Sequence, residues 1–157
     1  MTKPLNVHGT GLLLGDTGVL LRGPSGAGKS VLALSLLERW ESRGEAAFLV
    51  ADDRIELRVA SGELRMNANP SLAGLIELRG RGIVQRPHRN NVVLHLVIDL
   101  VPELVRMLEE DAFVTELAGL TIARAPVPAG DVVSLGHQML LVGEAMAALD
   151  LPRQNGA

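Results

Sequence analysis

Gly23-Pro24-Ser25-Gly26-Ala27-Gly28-Lys29-Ser30 is the stretch on which the reading of this chain turns. It fits G-x-x-x-x-G-K-[ST] at every fixed position, the pattern of a phosphate-binding loop. Glycines at 23, 26 and 28 let the backbone fold closely enough for its N–H groups to converge on phosphate oxygens. Lys29 brings a point charge to the β- and γ-phosphates, and the Ser30 hydroxyl can ligate Mg2+. The whole run, with Pro24, Ser25 and Ala27, is therefore assigned to cofactor binding. A helix starting here aims its positive end at the same anion. The flanks agree with that geometry. Val19 to Arg22 reads as a strand, and 30–43 carries Leu32, Leu34, Leu36, Leu37 and Trp40 near helical spacing, with Gly44 as a stop. Nucleoside triphosphate binding is the implied activity. No Asn-Lys-x-Asp run is present to read guanine, so a GTPase is disfavoured.

Upstream, Gly11 to Leu14 and Val19 to Arg22 form two short strands around Asp16-Thr17-Gly18. Downstream, Ala46 to Ala51 reads as a buried strand, and Ile55 to Val59 with Leu64 to Met66 as a hairpin around Ser61-Gly62. Asn67 to Leu78 reads as irregular, and 79–91, rich in arginine and glycine, as a mobile loop with room for a short strand. Val92 to Leu100 reads as one buried strand, and Pro102 to Glu110 as a turn or loop. Leu117 to Ala123 is a further strand, and Ala125 to Gly130 a proline-rich connection. Val133 to Leu149 closes the chain as a helix with Leu135, Met139, Val142 and Met146 on one face; Pro152 to Ala157 is expected to fray. The predicted class is α/β, a P-loop-containing mixed β-sheet with flanking helices.

Composition narrows the function. At 157 residues, with no repeat or linker, the expectation is one domain over 1–157. A net charge of -3 and a pI near 5.8 disfavour nucleic-acid binding, which needs a strong cationic face. Aromatic residues are only 2%, which also removes base-stacking platforms. There is no cysteine, hence no disulfide, thiol nucleophile or cysteine metal site. Mean hydropathy is +0.25, yet no apolar run approaches the ~20 residues of a membrane span. With no secretory leader at Met1 to Asn6, the expected setting is cytoplasmic and not membrane-bound.

Asp52 and Asp53 end the strand that comes after the loop and its helix. In phosphate-loop proteins that position holds Mg2+, directly or through water. A pair of carboxylates can divide the labour, one attending the metal while the other deprotonates an incoming hydroxyl. His8, in Val7-His8-Gly9, is unremarkable by itself; His88, His95 and His137 show no metal spacing and are read as structural.

Taken together, His8-Gly9, the Gly23–Ser30 loop, Ala51-Asp52-Asp53 and Ile76-Glu77-Leu78-Arg79-Gly80-Arg81-Gly82-Ile83 resemble the catalytic domain of the HPr kinase/phosphorylase family. The last of these looks like that family's Glu-x-Arg-Gly-x-Gly-Ile signature, and the likeness runs from about Val7 to Leu149. The resemblance implies a nucleotide-binding fold related to phosphoenolpyruvate carboxykinase, a homohexamer, and ATP with Mg2+ as cofactors. It implies phosphorylation of a serine on an HPr-type phosphocarrier partner. Residue by residue, it implies Asp52 as general base, Lys29 as phosphate contact, Ser30 and Glu77 as Mg2+ ligands, and His8 as a catalytic partner near Asp52; Asp53, the other member of the carboxylate pair, is assigned to the metal with them. Arg106 falls near the family's catalytic arginine. Full-length members carry an N-terminal domain; this chain resembles the short proteobacterial form without one. The family's Pro-Val-Arg-Pro-Gly-Arg-Asn stretch corresponds to Pro126-Val127-Pro128-Ala129-Gly130-Asp131-Val132 here. Both arginines are absent, so phosphate-driven dephosphorylation, which brings two anions together, is expected to suffer. An ATPase, a small-metabolite kinase and a non-catalytic ATP sensor remain the alternatives.

Overall fold

The computed structural model describes residues 3–149; the tail from Pro152, expected to fray, lies outside the described residues. Among the described residues, twelve strands and two α-helices run in the order β1 (Leu5–His8), β2 (Thr10–Leu14), β3 (Thr17–Arg22), α1 (Lys29–Ser42), β4 (Ala47–Ala51), β5 (Arg54–Ala60), β6 (Glu63–Asn67), β7 (Leu75–Leu78), β8 (Gly82–Gln85), β9 (Val92–Val93), β10 (Leu96–Val101), β11 (Val114–Leu117), β12 (Leu120–Pro128) and α2 (Leu135–Ala147). The central sheet has the order β11-β12-β10-β3-β2-β4. β10 pairs parallel with both β3 and β12, while the remaining pairs are antiparallel, which makes the sheet mixed. A four-stranded sheet, β1-β5-β6-β9, and the β7–β8 hairpin complete the fold.

Strand alternation explains the layering, because successive side chains point to opposite faces. Val19 and Leu21 of β3 join Leu32, Leu36, Met139 and Val142 in a core between the central sheet and the helices. Leu20, between them in sequence, joins Ile55, Leu57, Leu64 and Met66 in a second core under the four-stranded sheet. A strand buried on both faces needs an unbroken apolar run, and 19–21 supplies one. Each fully buried leucine contributes about 2 kcal/mol.

At the far end of β3 from the loop, the two sheets meet backbone to backbone. A Cβ at Gly18 would lie 1.8 Å from the Val93 carbonyl oxygen, so only glycine fits. His95 seals this junction. Its backbone N–H donates to the Gly18 carbonyl at 2.8 Å, and its Nδ1 accepts from the Gly18 N–H at 3.1 Å.

Several sequence expectations need correction. Residues 67–91 are more regular than predicted: a 3-10 turn over Pro70–Leu72 leads into the antiparallel β7–β8 hairpin. Its glycines mark a turn, with Arg81 N–H donating to the Leu78 carbonyl, rather than a long loop. Val92 to Leu100 is two strands, since the chain leaves one sheet for the other at Leu94 and His95. The strand expected at 117–123 is a hairpin turning at Ala118 and Gly119, both at positive φ. β12 then continues through Pro126 to Pro128, because its parallel partner β10 stays in register with both prolines. On α2, Met139 and Val142 are buried, but Leu135, in the first turn, is 39% exposed.

Candidate active site

Two walls of different origin face each other across a cleft of about 560 Å3. The first is the loop between β3 and α1. Gly28 caps α1 at φ 93°, a left-handed conformation that glycine adopts without steric cost. No side chain caps the first turn and no acidic residue lies in it. An uncapped N-terminus on a 14-residue helix is a ready anion site once a lysine and a hydroxyl stand beside it. Lys29 and Ser30 line the cleft with Ser25, Gly26 and Gly28. Gly23, Pro24 and Ala27 shape the loop from behind. Lys29 Nζ donates to the Gly23 and Pro24 carbonyls at 2.7 and 3.2 Å, and the Ala27 N–H donates to the Pro24 carbonyl. An ammonium has three donors, so one remains for a ligand. Burial draws Lys29 below the usual lysine range, and the negative charges of Asp52 and Asp53 oppose that shift.

The second wall is acidic and assembled from three separated segments. β4 ends at Ala51, and the chain turns through Asp52 and Asp53 into β5, with the Arg54 N–H donating to the Asp52 carbonyl at 2.8 Å. Asp53 takes φ 71°, which aspartate tolerates better than most residues because its short polar side chain can bond locally. Asp52 Oδ1 accepts from the Thr10 hydroxyl at 2.9 Å, and Oδ2 from the Glu77 N–H at 3.4 Å. His8 meets Asp53 rather than Asp52, with Nδ1 3.2 Å from Oδ1. That pair is open to water on both sides, so it contributes little to stability. Glu77 and Arg79 reach the same cleft from β7 and the turn after it, over an apolar floor that includes Ile76 and Ile83.

Of the residues singled out from sequence, His8, Lys29, Ser30, Asp52, Asp53 and Glu77 converge here. Arg106 does not line the cleft; it is exposed in the irregular connection between β10 and β11. Thr10 was invisible to sequence reasoning, because a threonine opening a strand is ordinary β-former usage. The donor set suits a hard cation. Ser30, Asp52, Asp53 and Glu77 offer oxygen only, and Mg2+ takes one or two carboxylates plus substrate phosphates. Among the described residues there is no cluster of three or more His, Asp or Glu that would cage a metal without a substrate.

Behind the phosphate wall, Asp99 binds Arg22 and Arg124. Arg22 Nε and Nη2 donate to its two oxygens at 2.7 and 2.8 Å, and Arg124 Nε donates as well. Burial by itself would raise the Asp99 pKa, but the hydrogen bonds and charges of the two arginines outweigh it and hold the carboxyl below its ordinary range.

Residues 1–147 match the family model described as the HPr serine kinase C-terminal domain. The HPr kinase/phosphorylase of Neisseria meningitidis is 32% identical over 152 residues, covering 88% of this chain and 44% of the relative. That of Bordetella pertussis is 33% identical over 151 residues, covering 88% and 46%. This chain thus spans less than half the length of the curated relatives it matches. The solved HPr(Ser) kinase/phosphatase of Coxiella burnetii superposes with a TM-score of 0.72 at 25% identity, covering 91% of this chain and 92% of that one. With the mixed sheet, its flanking helices and the phosphate loop in place, the chain belongs to the HPr serine kinase C-terminal domain family.

Proposed function

We propose that this protein transfers the γ-phosphoryl group of ATP to a serine hydroxyl on an HPr-type phosphocarrier in the cytoplasm, with Mg2+ as cofactor. The observation that carries this reading is the convergence of Lys29, Ser30, Asp52 and Glu77 on one cleft. The loop N–H groups, the α1 terminus and Lys29 hold the phosphates. Ser30, Asp53 and Glu77 would hold the cation, which would supply charge neutralisation when bound. Asp52 accepts the serine proton as the serine oxygen bonds to the γ-phosphorus and the bond to the β-phosphate oxygen breaks, releasing ADP. Each Asp52 oxygen already accepts one hydrogen bond and retains a lone pair for the incoming hydroxyl. Phosphoryl transfer asks a protein mainly for positioning and charge stabilisation, which these groups offer. His8 acts through Asp53; the family resemblance also implies a catalytic role for Arg106, which stands outside this cleft in the 102–110 segment. The same resemblance makes the working unit a homo-oligomer, a hexamer.

The reverse reaction, attack of inorganic phosphate on phosphoserine to give pyrophosphate, is the weaker activity. The Ala129–Gly130 segment, where the family places arginine charge nearby, packs against the loop, with the Gly130 N–H on the Ala27 carbonyl at 3.2 Å. The test is intact-mass spectrometry of an HPr-type carrier after incubation with the protein, ATP and Mg2+. One added phosphoryl group on serine, absent with Asp52→Asn, is the expected result. Tight ATP binding with no transfer to the carrier would overturn the kinase reading in favour of a nucleotide sensor.

A further inference from the structure

Buried polar side chains are rare in this protein. Among the described residues, Thr10 and Gln138 are the buried polar ones, and Thr10 is 0% exposed. Gln138 satisfies the Pro128 carbonyl at 2.9 Å, next to the helix it belongs to. Thr10 spends its hydroxyl differently, donating it to Asp52 Oδ1, 42 positions away in sequence. This bond is one of three contacts between two short corners. His8 meets the Asp53 side chain, the Gly9 N–H donates to the Asp53 carbonyl at 3.1 Å, and Thr10 holds Asp52.

The local chain path explains how β4 delivers Asp52 to Thr10. β2 and β4 pair with a register shift: Leu12 lies opposite Leu49, but Gly11 lies opposite Ala51, leaving Val50 with no opposite residue. An extra residue of this kind bends a strand and re-aims the side chains beyond it, a device common beside active sites. The first side chain beyond the end of β4 is that of Asp52.

We infer that Thr10 is a positioning residue for the proton acceptor. The last torsion of an aspartate is broad, so a carboxylate on a partly exposed turn does not keep one orientation by itself. A threonine, branched at Cβ, is stiff at χ1, and on a buried strand its hydroxyl is a fixed point. With the Glu77 N–H on the other oxygen, donors from two elements, β2 and β7, define the plane of the Asp52 carboxylate. Its remaining lone pairs are thereby presented to the cleft. The catalytic half of this inference rests on Asp52 being the base, as proposed above; the orienting half does not.

Thr10→Val keeps the shape and removes the donor, and Thr10→Ser restores the donor. In steady-state carrier phosphorylation, Thr10→Val is expected to lower kcat roughly tenfold to hundredfold, the scale of a small misplacement of a reacting group. The KM for ATP should stay within about twofold, because the phosphate wall is untouched, and Thr10→Ser should recover most of the loss. A wild-type kcat in Thr10→Val, or equal losses in the valine and serine variants, would overturn the inference. A second measurement is independent of transfer: the 13Cγ chemical shift of the Asp52 carboxylate in the nucleotide-free protein, which senses the hydrogen bonds on its oxygens. Thr10→Val should move that shift and Thr10→Ser restore it; an unmoved shift in Thr10→Val would overturn the inference even where kcat falls. Should the wild type transfer nothing, the kinase reading fails while the carboxylate shift still decides what Thr10 does.

Discussion

The two walls of the cleft are built by opposite strategies. The phosphate wall is eight consecutive residues whose working parts are largely backbone, hung from β3 of the central sheet. The acidic wall is side chains gathered from 8–10, 52–53 and 77–79, at the corners where the chain leaves the central sheet for the four-stranded sheet and the β7–β8 hairpin. In the proposed reaction the first binds charge that is present throughout. The second, on the same proposal, must hold a carboxylate at a given angle at the moment a proton moves. Damage to the first should therefore appear in affinity, and damage to the second in turnover.

The sharpest way to break that division is Asp52→Asn. General-base removal costs on the order of a thousandfold in rate, so kcat should collapse while ATP affinity, measured by calorimetry, stays near wild type. A comparable loss of affinity would merge the two walls into one. Lys29→Ala should do the converse, weakening ATP binding by roughly tenfold to a hundredfold, the range for losing charged hydrogen bonds. Next comes the support behind the phosphate wall. Asp99→Asn leaves two half-buried guanidinium groups without their carboxylate and should cost roughly 2–3 kcal/mol of folding stability at neutral pH. Because the folded pKa of Asp99 is depressed, its contribution is present above the ordinary value of 3.8 and is lost as pH falls through the lower folded value. Denaturant midpoints of wild type and Asp99→Asn should converge in that acidic range. The smallest effect belongs to His95. Burial lowers its pKa below 6.5, opposed by the charges of Glu63 and Asp16. Below pH 6.5 the unfolded chain takes up this proton more readily than the folded one, so stability should decline with acidity until the folded value is passed. His95→Asn should flatten that slope; an unchanged slope would place its origin elsewhere.

The same contrast decides what could be read from sequence. The phosphate wall was readable in full, because its chemistry is local and its spacing fixed by the loop itself. Asp52 and Asp53 were readable from their place at the end of the strand after the loop and its helix, whereas the pairing of His8 with Asp53 needed the corner to be built. Thr10 and the Arg22–Asp99–Arg124 cluster carried no signal, since their partners are 25 to 77 positions apart. The β7–β8 hairpin was missed because arginine and glycine hide a two-residue alternation, and the end of β12 because prolines read as a connection. There, tertiary pairing overrides local propensity.

Gly18 illustrates a trap for anyone mapping this protein by mutation. It lies five residues along the chain from the phosphate loop, roughly 16 Å away at strand rise, and touches none of the chemistry. Yet any side chain there would strike the Val93 carbonyl. A scan scored by activity alone would rank Gly18 beside Lys29 and Asp52 and invite a catalytic story for it. Scored by soluble yield as well, it would separate from them at once, because its intolerance arises from the contact of two sheets and not from the reaction.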